Sequence, residues 1–501
     1  MTRGGCRSGA GAKPKWKHSR TKTIRVPVAI ADQVLEIAKM LDQGSEEFCL
    51  SSELSDLTDP ASKRGEQLSS MNGVARQIKS SGSIQLALDS SPDFNLPSLS
   101  ELDFQEMTRK TGIEALYYIV HLDNLASILE RGILSHRQIE GQGIEHLTIY
   151  NNEVIDRRSS RVVIEDKTLW DFANLYLQPR NAMLYSVINK IGVNSIAIIS
   201  VNKEVLKIRG AFITTGNAAG NESIIVPVSE AKPILSQIRK DVDKNWWNKD
   251  DGSKRKIMAE CLVPDFIPPS YIQAIYVANS RVKENAELKI LDFNENLQVV
   301  VEPEKFFQPN SVASVTRRLS VAQGDMFFSK MQTLTISVNC VGVMGKGLAS
   351  TAKYRFPDVY VKYEDMCKRK SLKLGQPYIH KRESSVLSDL GDEVFMLADV
   401  EDASQTWFML FPTKGHWKEN SRLEDIENGL RWFCDNYQSQ GIKSVAFPAL
   451  GCGNGNLSWH EVGPVMCKYL APLDLQVVIY LPAEKGILPE WTSPDFLLSQ
   501  V

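Results

Sequence analysis

In the C-terminal third of the chain, short apolar runs alternate with helix-length stretches, and glycine-rich loops follow two of the runs. No other feature constrains the fold as strongly. The runs are Leu334–Val338, Trp407–Phe411, Lys443–Phe447 and Leu475–Leu481, with helical patterns near Ala349–Arg355, from Leu423 to Tyr437 and after Ser458. Strands separated by crossover helices predict an α/β three-layer sandwich whose ligand loops lie at the strand ends. The loops are Asn339-Cys-Val-Gly-Val-Met-Gly-Lys-Gly347 and Ala449-Leu-Gly-Cys-Gly-Asn-Gly-Asn456. Their glycines let backbone N–H groups approach a diphosphate, and the helix start after the first loop adds favourable partial charge. Neither loop is a dinucleotide fingerprint: Gly342, Gly345 and Gly347 lack the GxGxxG spacing, and no Walker Lys-Ser/Thr follows.

At about 100–200 residues per domain, 501 residues predict several folded units. With 43% hydrophobic and 24% charged residues, the bulk of the chain can bury a core. A net charge of −2 excludes a uniformly basic coat protein. No apolar run reaches the roughly 18–20 residues of a membrane span, and the N-terminus has no secretory core, so a cytoplasmic location without membrane contact is expected. The eight cysteines show no CxxC or Cys/His ligand spacing, which predicts buried reduced thiols and no metal.

The first 25 residues carry eight Lys or Arg and no acid, a mostly flexible basic extension. Ile24, Val26 and Val28 then alternate as a strand, and Ile30, Val34, Ile37 and Leu41 recur at helical spacing. This 1–45 element weakly resembles a ribbon-helix-helix DNA-binding unit, which would add duplex DNA as a partner; oligomerisation or docking remains open. Ser, Asp, Asn and Gly dominate the next stretch, read as a linker over 46–106. Two prolines in Val301–Asn310 mark a second seam, so that blocks 107–305 and 318–490 flank a linker at 306–317, and 491–501 form a tail.

In the middle block, Leu116–His121 reads as a strand delivering His121 to a loop, with a helix from Asn124 to Arg131 closed by Gly132. Arg157, Arg158 and Arg161 fall in a polar stretch read as a loop. Gln178-Pro-Arg-Asn-Ala-Met-Leu-Tyr185 and Lys254-Arg-Lys-Ile-Met-Ala-Glu-Cys-Leu-Val-Pro264 follow. In order and spacing these landmarks resemble the DarT family, α+β ADP-ribosyltransferase folds that move ADP-ribose from NAD to thymidine bases in single-stranded DNA. The resemblance implies Glu260 and Arg158 as catalytic residues, with His121, Tyr118, Asn124, Met183, Leu184 and Tyr185 at the NAD pocket. Tyr118 departs from the pattern, standing where family members carry histidine. A carboxylate suits the oxocarbenium-like ribose formed as nicotinamide leaves, and a base would activate the thymine ring nitrogen. A guanidinium supplies a fixed charge. A base-modifying enzyme needs unpaired substrate. Trp246 and Trp247 could stack on bases, and Arg157, Lys254 and Arg255 could meet phosphates. One tryptophan in the core, with merely solvated lysines, fits the same stretch.

The two glycine loops, together with Phe411-Pro-Thr-Lys-Gly-His-Trp417 and Phe447-Pro-Ala-Leu-Gly-Cys-Gly-Asn-Gly-Asn-Leu-Ser-Trp459, resemble a macrodomain, and within that class DarG, which removes ADP-ribose from thymidine in DNA. The resemblance implies that Asp325 accepts from the adenine amino group and Asn339 holds the distal ribose. Gly342, Val343, Met344, Gly345, Lys346 and Gly347 would line the phosphates with Thr413, Gly451, Cys452, Gly453, Asn454 and Gly455. Lys414 matches the catalytic lysine, as nucleophile, acid or electrostatic support; Lys346 is the competing amine. The whole chain then resembles a fused toxin and antitoxin, with NAD as substrate, ADP-ribose as bound product and single-stranded DNA as partner. Separate DarG proteins carry a further domain that blocks the transferase, and no such segment is expected here. ADP-ribosylation of protein or RNA, or a non-catalytic ADP-ribose reader, are the alternatives.

Overall fold

The computed structural model describes residues 99–149, 152–293, 296–391, 405–482 and 486–499. The basic arm, its strand-and-helix element and nearly all of the 46–106 linker therefore lie outside the described residues. The first block is helical earlier than residue 107. Ser100 accepts the Asp103 N–H to start the helix Glu101–Thr111, and Gly112 ends it at φ 63°. Phe104 and Met107 on this helix pack into the core.

Eight strands form the first sheet: β1 Ala115–His121, β2 Phe172–Tyr176, β3 Ile196–Asn202, β4 Phe212–Thr214, β5 Ile225–Pro227, β6 Glu260–Pro264, β7 Ile272–Val277 and β8 Gln298–Val301. Their order is β8-β7-β3-β1-β2-β6-β4-β5. All neighbours are antiparallel except β7 and β8, the arrangement of an α+β fold. β6 lies between β2 and β4, so its first residue, Glu260, starts a strand paired on both sides and sits opposite Tyr176. Gly132, expected to close a helix, does so at φ 91°, and a Cβ there would meet the Ile267 carbonyl oxygen at 2.3 Å.

The second sheet comprises β9 Ser311–Ser314, β10 Leu319–Gln323, β11 Thr333–Asn339, β12 Tyr378–His380, β13 Trp407–Lys414, β14 Ser444–Pro448 and β15 Gln476–Leu481, in the order β9-β10-β15-β14-β11-β13-β12. β10, β15, β14, β11 and β13 are parallel. The edges β9 and β12 are antiparallel. Ala352, Val359 and Tyr363 pack on one face with Leu334, Ile336 and Leu410, while Ile426, Leu430, Val462 and Met466 pack on the other with Met409, Phe411 and Val445. This alternation along β13 produces the expected three layers.

The 301–310 seam is not a loose tether. Phe306 and Phe307 are buried, and one apolar cluster runs from Tyr185 and Trp247 of the first fold through Phe307 into Phe327, Phe328 and Phe356 of the second. The prolines interrupt regular structure there, while the phenylalanines make the segment part of the core.

Candidate functional site

In the first fold the best-formed polar constellation surrounds Glu260, which is 1% exposed. Arg158 Nη1 donates to its two carboxylate oxygens at 3.1 and 3.4 Å, and the Ala218 N–H donates to Oε1 at 2.8 Å. Thr214 Oγ1 accepts the Glu260 N–H at 2.8 Å, which locks the strand start. Arg158 lies on the helix Asn152–Ser160 rather than in a loop. Val154 and Ile155 give that segment too little apolar periodicity to announce a helix. Arg158 is 8% exposed, and its Nη2 has no hydrogen-bond partner. An anchored carboxylate paired with a guanidinium that retains a donor can meet both a cationic sugar and a polar ligand group.

Half-buried Tyr118 lies near Arg158; burial pushes its phenol up and the guanidinium pulls it down. His136 stacks on Trp170 with ring centroids 4.4 Å apart. Its pKa falls to about 4, chiefly through burial and then through Arg158. Trp170 donates to Glu140 at 3.0 Å, and Arg137 pairs with Asp171. This stack was missed in the sequence, since residues 136–171 become a cluster only through the fold. His121 caps the following turn by accepting the Asp123 N–H at 3.2 Å. Asn124 exchanges two hydrogen bonds with Leu147, at 2.8 and 2.9 Å, and so holds the Gly143–Leu147 stretch.

Several expected contacts fall elsewhere. Leu184 is fully buried in the core, and Tyr185 packs edge-on to Trp247, Phe307 and Phe328. On the helix Ala182–Ile191 three consecutive residues cannot share one face, and Met183 is the partly exposed one. Trp247 is 1% exposed and donates to the Leu390 carbonyl at 2.9 Å. Trp246 lies against Phe328 and Phe356. The Trp247 ring is therefore closed off from a nucleic acid, while Trp246 stays partly exposed. Lys254 donates to the Gly391 carbonyl at 2.7 Å. Arg255 donates to Ser223 at 3.0 Å, and its carbonyl accepts the Asn217 N–H, which braces the turn that supplies Ala218 to Glu260. Arg157, next to Arg158, is exposed.

In the second fold, β11 and β13 place Asn339 and Lys414 side by side at their carboxyl ends. Asn339 Nδ2 donates to the Val343 carbonyl at 2.6 Å, and Oδ1 accepts from Val341 N–H and from the buried Tyr363 hydroxyl. Asn339 thus shapes the first glycine loop. In that loop Met344 is buried, whereas Val343, Gly345, Lys346 and Gly347 are exposed around Gly342. Tyr363 gave no sequence signal, because it reaches the loop from the helix Pro357–Lys368.

The second loop is packed from behind. Gly451 adopts φ +73°, and a Cβ on Gly455 would lie 2.3 Å from Ser421 Oγ and 2.5 Å from the Gly451 carbonyl oxygen. Thr413 and Cys452 are buried, and Gly453 and Asn454 face outward. Lys414 Nζ donates to the Asn454 carbonyl at 2.8 Å, and partial burial lowers its pKa despite Glu419 nearby. Asp325 accepts the Phe327 N–H at 3.1 Å and pairs with Arg355 at 2.6 Å. Among the described residues no group of three His, Cys, Asp or Glu side chains is placed to hold a metal, and no helix is long and apolar enough to cross a membrane.

Residues 117–307 match the family model of the ssDNA thymidine ADP-ribosyltransferase DarT, and residues 337–466 match that of the macro domain. A DNA ADP-ribosyl transferase-DNA ADP-ribosyl glycohydrolase fusion protein from Thermosipho africanus is 52% identical over 384 residues, covering 76% of this chain and 98% of that protein. The solved structure of Thermosipho africanus DarTG in complex with ADP-ribose aligns at a TM-score of 0.72 and 50% identity, covering 77% of this chain and 100% of that one. A DNA ADP-ribosyl glycohydrolase of Thermus aquaticus is 33% identical over 181 residues, 35% of this chain and 46% of that protein.

Proposed function

Because the chain belongs to the family of DNA ADP-ribosyl transferase-DNA ADP-ribosyl glycohydrolase fusion proteins, we propose that its two folds write and erase one DNA modification. The first transfers ADP-ribose from NAD to thymidine in single-stranded DNA; the second hydrolyses it off. A toxin and its antitoxin thus share one chain, acting in the cytoplasm. The observation that carries this reading is the buried Glu260–Arg158 pair, formed by residues far apart in sequence and fixed by the Ala218 N–H.

As the bond from ribose to nicotinamide breaks, Glu260 stabilises the positive charge developing on the ribose, and it accepts the proton released when a thymine ring nitrogen attacks. Arg158 keeps Glu260 oriented and offers its second nitrogen to substrate. The balance is NAD plus thymidine giving ADP-ribosyl-thymidine, nicotinamide and a proton. His121, Asn124 and Met183 are proposed to border the NAD site, and Arg157 to meet DNA phosphate. In the second fold the glycine loops take the diphosphate, Asp325 the adenine amine and Asn339 the ribose side. Lys414 is proposed to assist the attack of water on the anomeric carbon, and the products are thymidine and ADP-ribose.

The test incubates Lys414→Ala protein with NAD and a thymidine-containing oligonucleotide. Modified DNA is expected to accumulate, and none should form with Glu260→Ala or with RNA or protein substrates. Unmodified DNA in the Lys414→Ala reaction would refute the proposal.

A further inference from the structure

Asp325 stands at the end of β10, and the residue that pairs with it is part of the seam between the folds. Arg355 is the last residue of the helix Gly347–Arg355, which begins at the first glycine loop. The helix therefore runs from the first glycine loop to the Asp325 carboxylate. Arg355 Nη1 donates to Asp325 Oδ2 at 2.6 Å, with the arginine side chain 10% exposed. Its guanidinium lies 4.4 Å from the ring of Trp246, which belongs to the first fold, and 5.4 Å from Phe327.

Trp246 is held in turn by Phe328 and Phe356, with ring centroids 5.3 and 5.4 Å away. A planar guanidinium stacked on an indole keeps one orientation, and a partly desolvated contact of this kind is stronger than an exposed one. The Asp325 carboxylate is thereby fixed at both oxygens, Oδ1 by the Phe327 N–H and Oδ2 by Arg355. Its remaining lone pairs point in a set direction.

We propose that Arg355 is a positioning residue for adenine recognition, held in place by Trp246, so that the transferase fold completes the base-reading end of the hydrolase pocket. The inference rests on the proposed role of Asp325 toward the adenine amine. It assigns Trp246 a task within the chain instead of a stacking contact to DNA.

The experiment measures dissociation constants of the full chain for ADP-ribose and for its hypoxanthine analogue, which carries a carbonyl in place of the amine. A site that accepts from the amine should prefer ADP-ribose by about 10- to 100-fold. Asp325→Ala should collapse that ratio to about threefold or less. Arg355→Ala and Trp246→Ala should lower it at least about threefold, and Trp246→Phe, which keeps an aromatic face, should restore most of it. In hydrolysis of modified DNA the loss should fall on KM, with kcat moved less than about twofold. A misfolded fraction reduces the number of sites without altering the ratio of two dissociation constants, so the readout survives partial loss of protein. If Asp325→Ala collapses the ratio while Arg355→Ala and Trp246→Ala leave it intact, the positioning role is overturned. If Asp325→Ala leaves the ratio intact, the adenine assignment falls, and the inference with it.

Discussion

Replacing Glu260 by Gln is isosteric and removes one charge from a pair that is buried on both sides, with Glu260 1% and Arg158 8% exposed. The carboxylate accepts from two sources: Arg158 Nη1 reaches Oε2 at 3.1 Å and Oε1 at 3.4 Å, and the Ala218 N–H donates to Oε1 at 2.8 Å. An amide has one oxygen, so whichever way it turns, its NH2 faces one of these donors. The substitution therefore loses an ion pair and creates a donor–donor contact, while Arg158 keeps its charge. Removing one member of a buried pair costs about 3–5 kcal/mol. For a domain of this size that is roughly 6–20 °C in the melting transition. Pairing Glu260→Gln with Arg158→Met removes the orphan charge, and the double variant should recover about 2–4 kcal/mol relative to Glu260→Gln alone. Calorimetry of the four proteins gives the coupling. Transferase activity, followed in a Lys414→Ala background, should fall about a hundred- to ten-thousand-fold in Glu260→Gln and should not return in the double variant. If the two stability losses simply add, the pair is not an energetic unit and the account of the site is wrong.

Burial lowers the Lys414 pKa. If the free amine works, hydrolase activity rises with pH and levels off below the usual lysine range; if the ammonium works, activity falls through the same interval. A flat kcat/KM profile up to the ordinary lysine pKa would exclude a titrating role for Lys414. His136 has a folded pKa of about 4 against 6.5 for the free group. Protonation therefore favours the unfolded chain, so its contribution is full above about 6.5 and is lost as pH falls toward 4. His136→Phe should flatten the decline of transferase stability across that window, and equal slopes for the two proteins would contradict the assignment. Gly455→Ala would push a methyl group into Ser421 and the Gly451 carbonyl. It should cost about 1–3 kcal/mol and weaken ADP-ribose binding about tenfold or more, measured by calorimetry; unchanged affinity would mean that the second loop does not grip the ligand.

Much of this was legible before any fold was known, and for a physical reason. The runs Leu334–Val338, Lys443–Phe447 and Leu475–Leu481 fall on the strands Thr333–Asn339, Ser444–Pro448 and Gln476–Leu481, which are largely buried on both faces, and continuous apolar runs report that burial directly. In the two loops Gly342, Gly347 and Gly451 take positive φ and Gly455 lies against the Gly451 carbonyl, constraints that leave a signature in one-dimensional sequence. Glu260 and Arg158 were legible through spaced motifs, although nothing local says that they touch. What stayed hidden is what depends on the partner surface. Trp246, Trp247 and Lys254 form an aromatic and basic stretch whose composition suits a nucleic-acid strand and a folded neighbour equally well. Burial of Trp247 against the Leu390 carbonyl separates the two. Tyr363 reaches the loop from a helix that carries no motif, and Arg355 reaches Asp325 from the far end of the helix that the first glycine loop starts.

The seam changes how the opposed activities are to be thought of together. A flexible tether would set the local concentration of eraser through chain statistics, on the order of millimolar for a short linker. Here Phe306 and Phe307 are buried, the Trp247 N–H is bonded across the junction, and Arg180 lies 5.0 and 4.9 Å from the rings of Phe307 and Phe328. Opening this junction would expose two indoles and several phenyl rings and strand a buried N–H, the last alone costing about 1–3 kcal/mol. The two folds therefore hold one geometry. Equal amounts of writer and eraser follow from the fusion itself, whereas a fixed junction adds that a change at Trp246 or Arg355 reaches both folds at once. Substitutions there should alter toxin and antitoxin together, while substitutions at Glu260 or Lys414 should separate them.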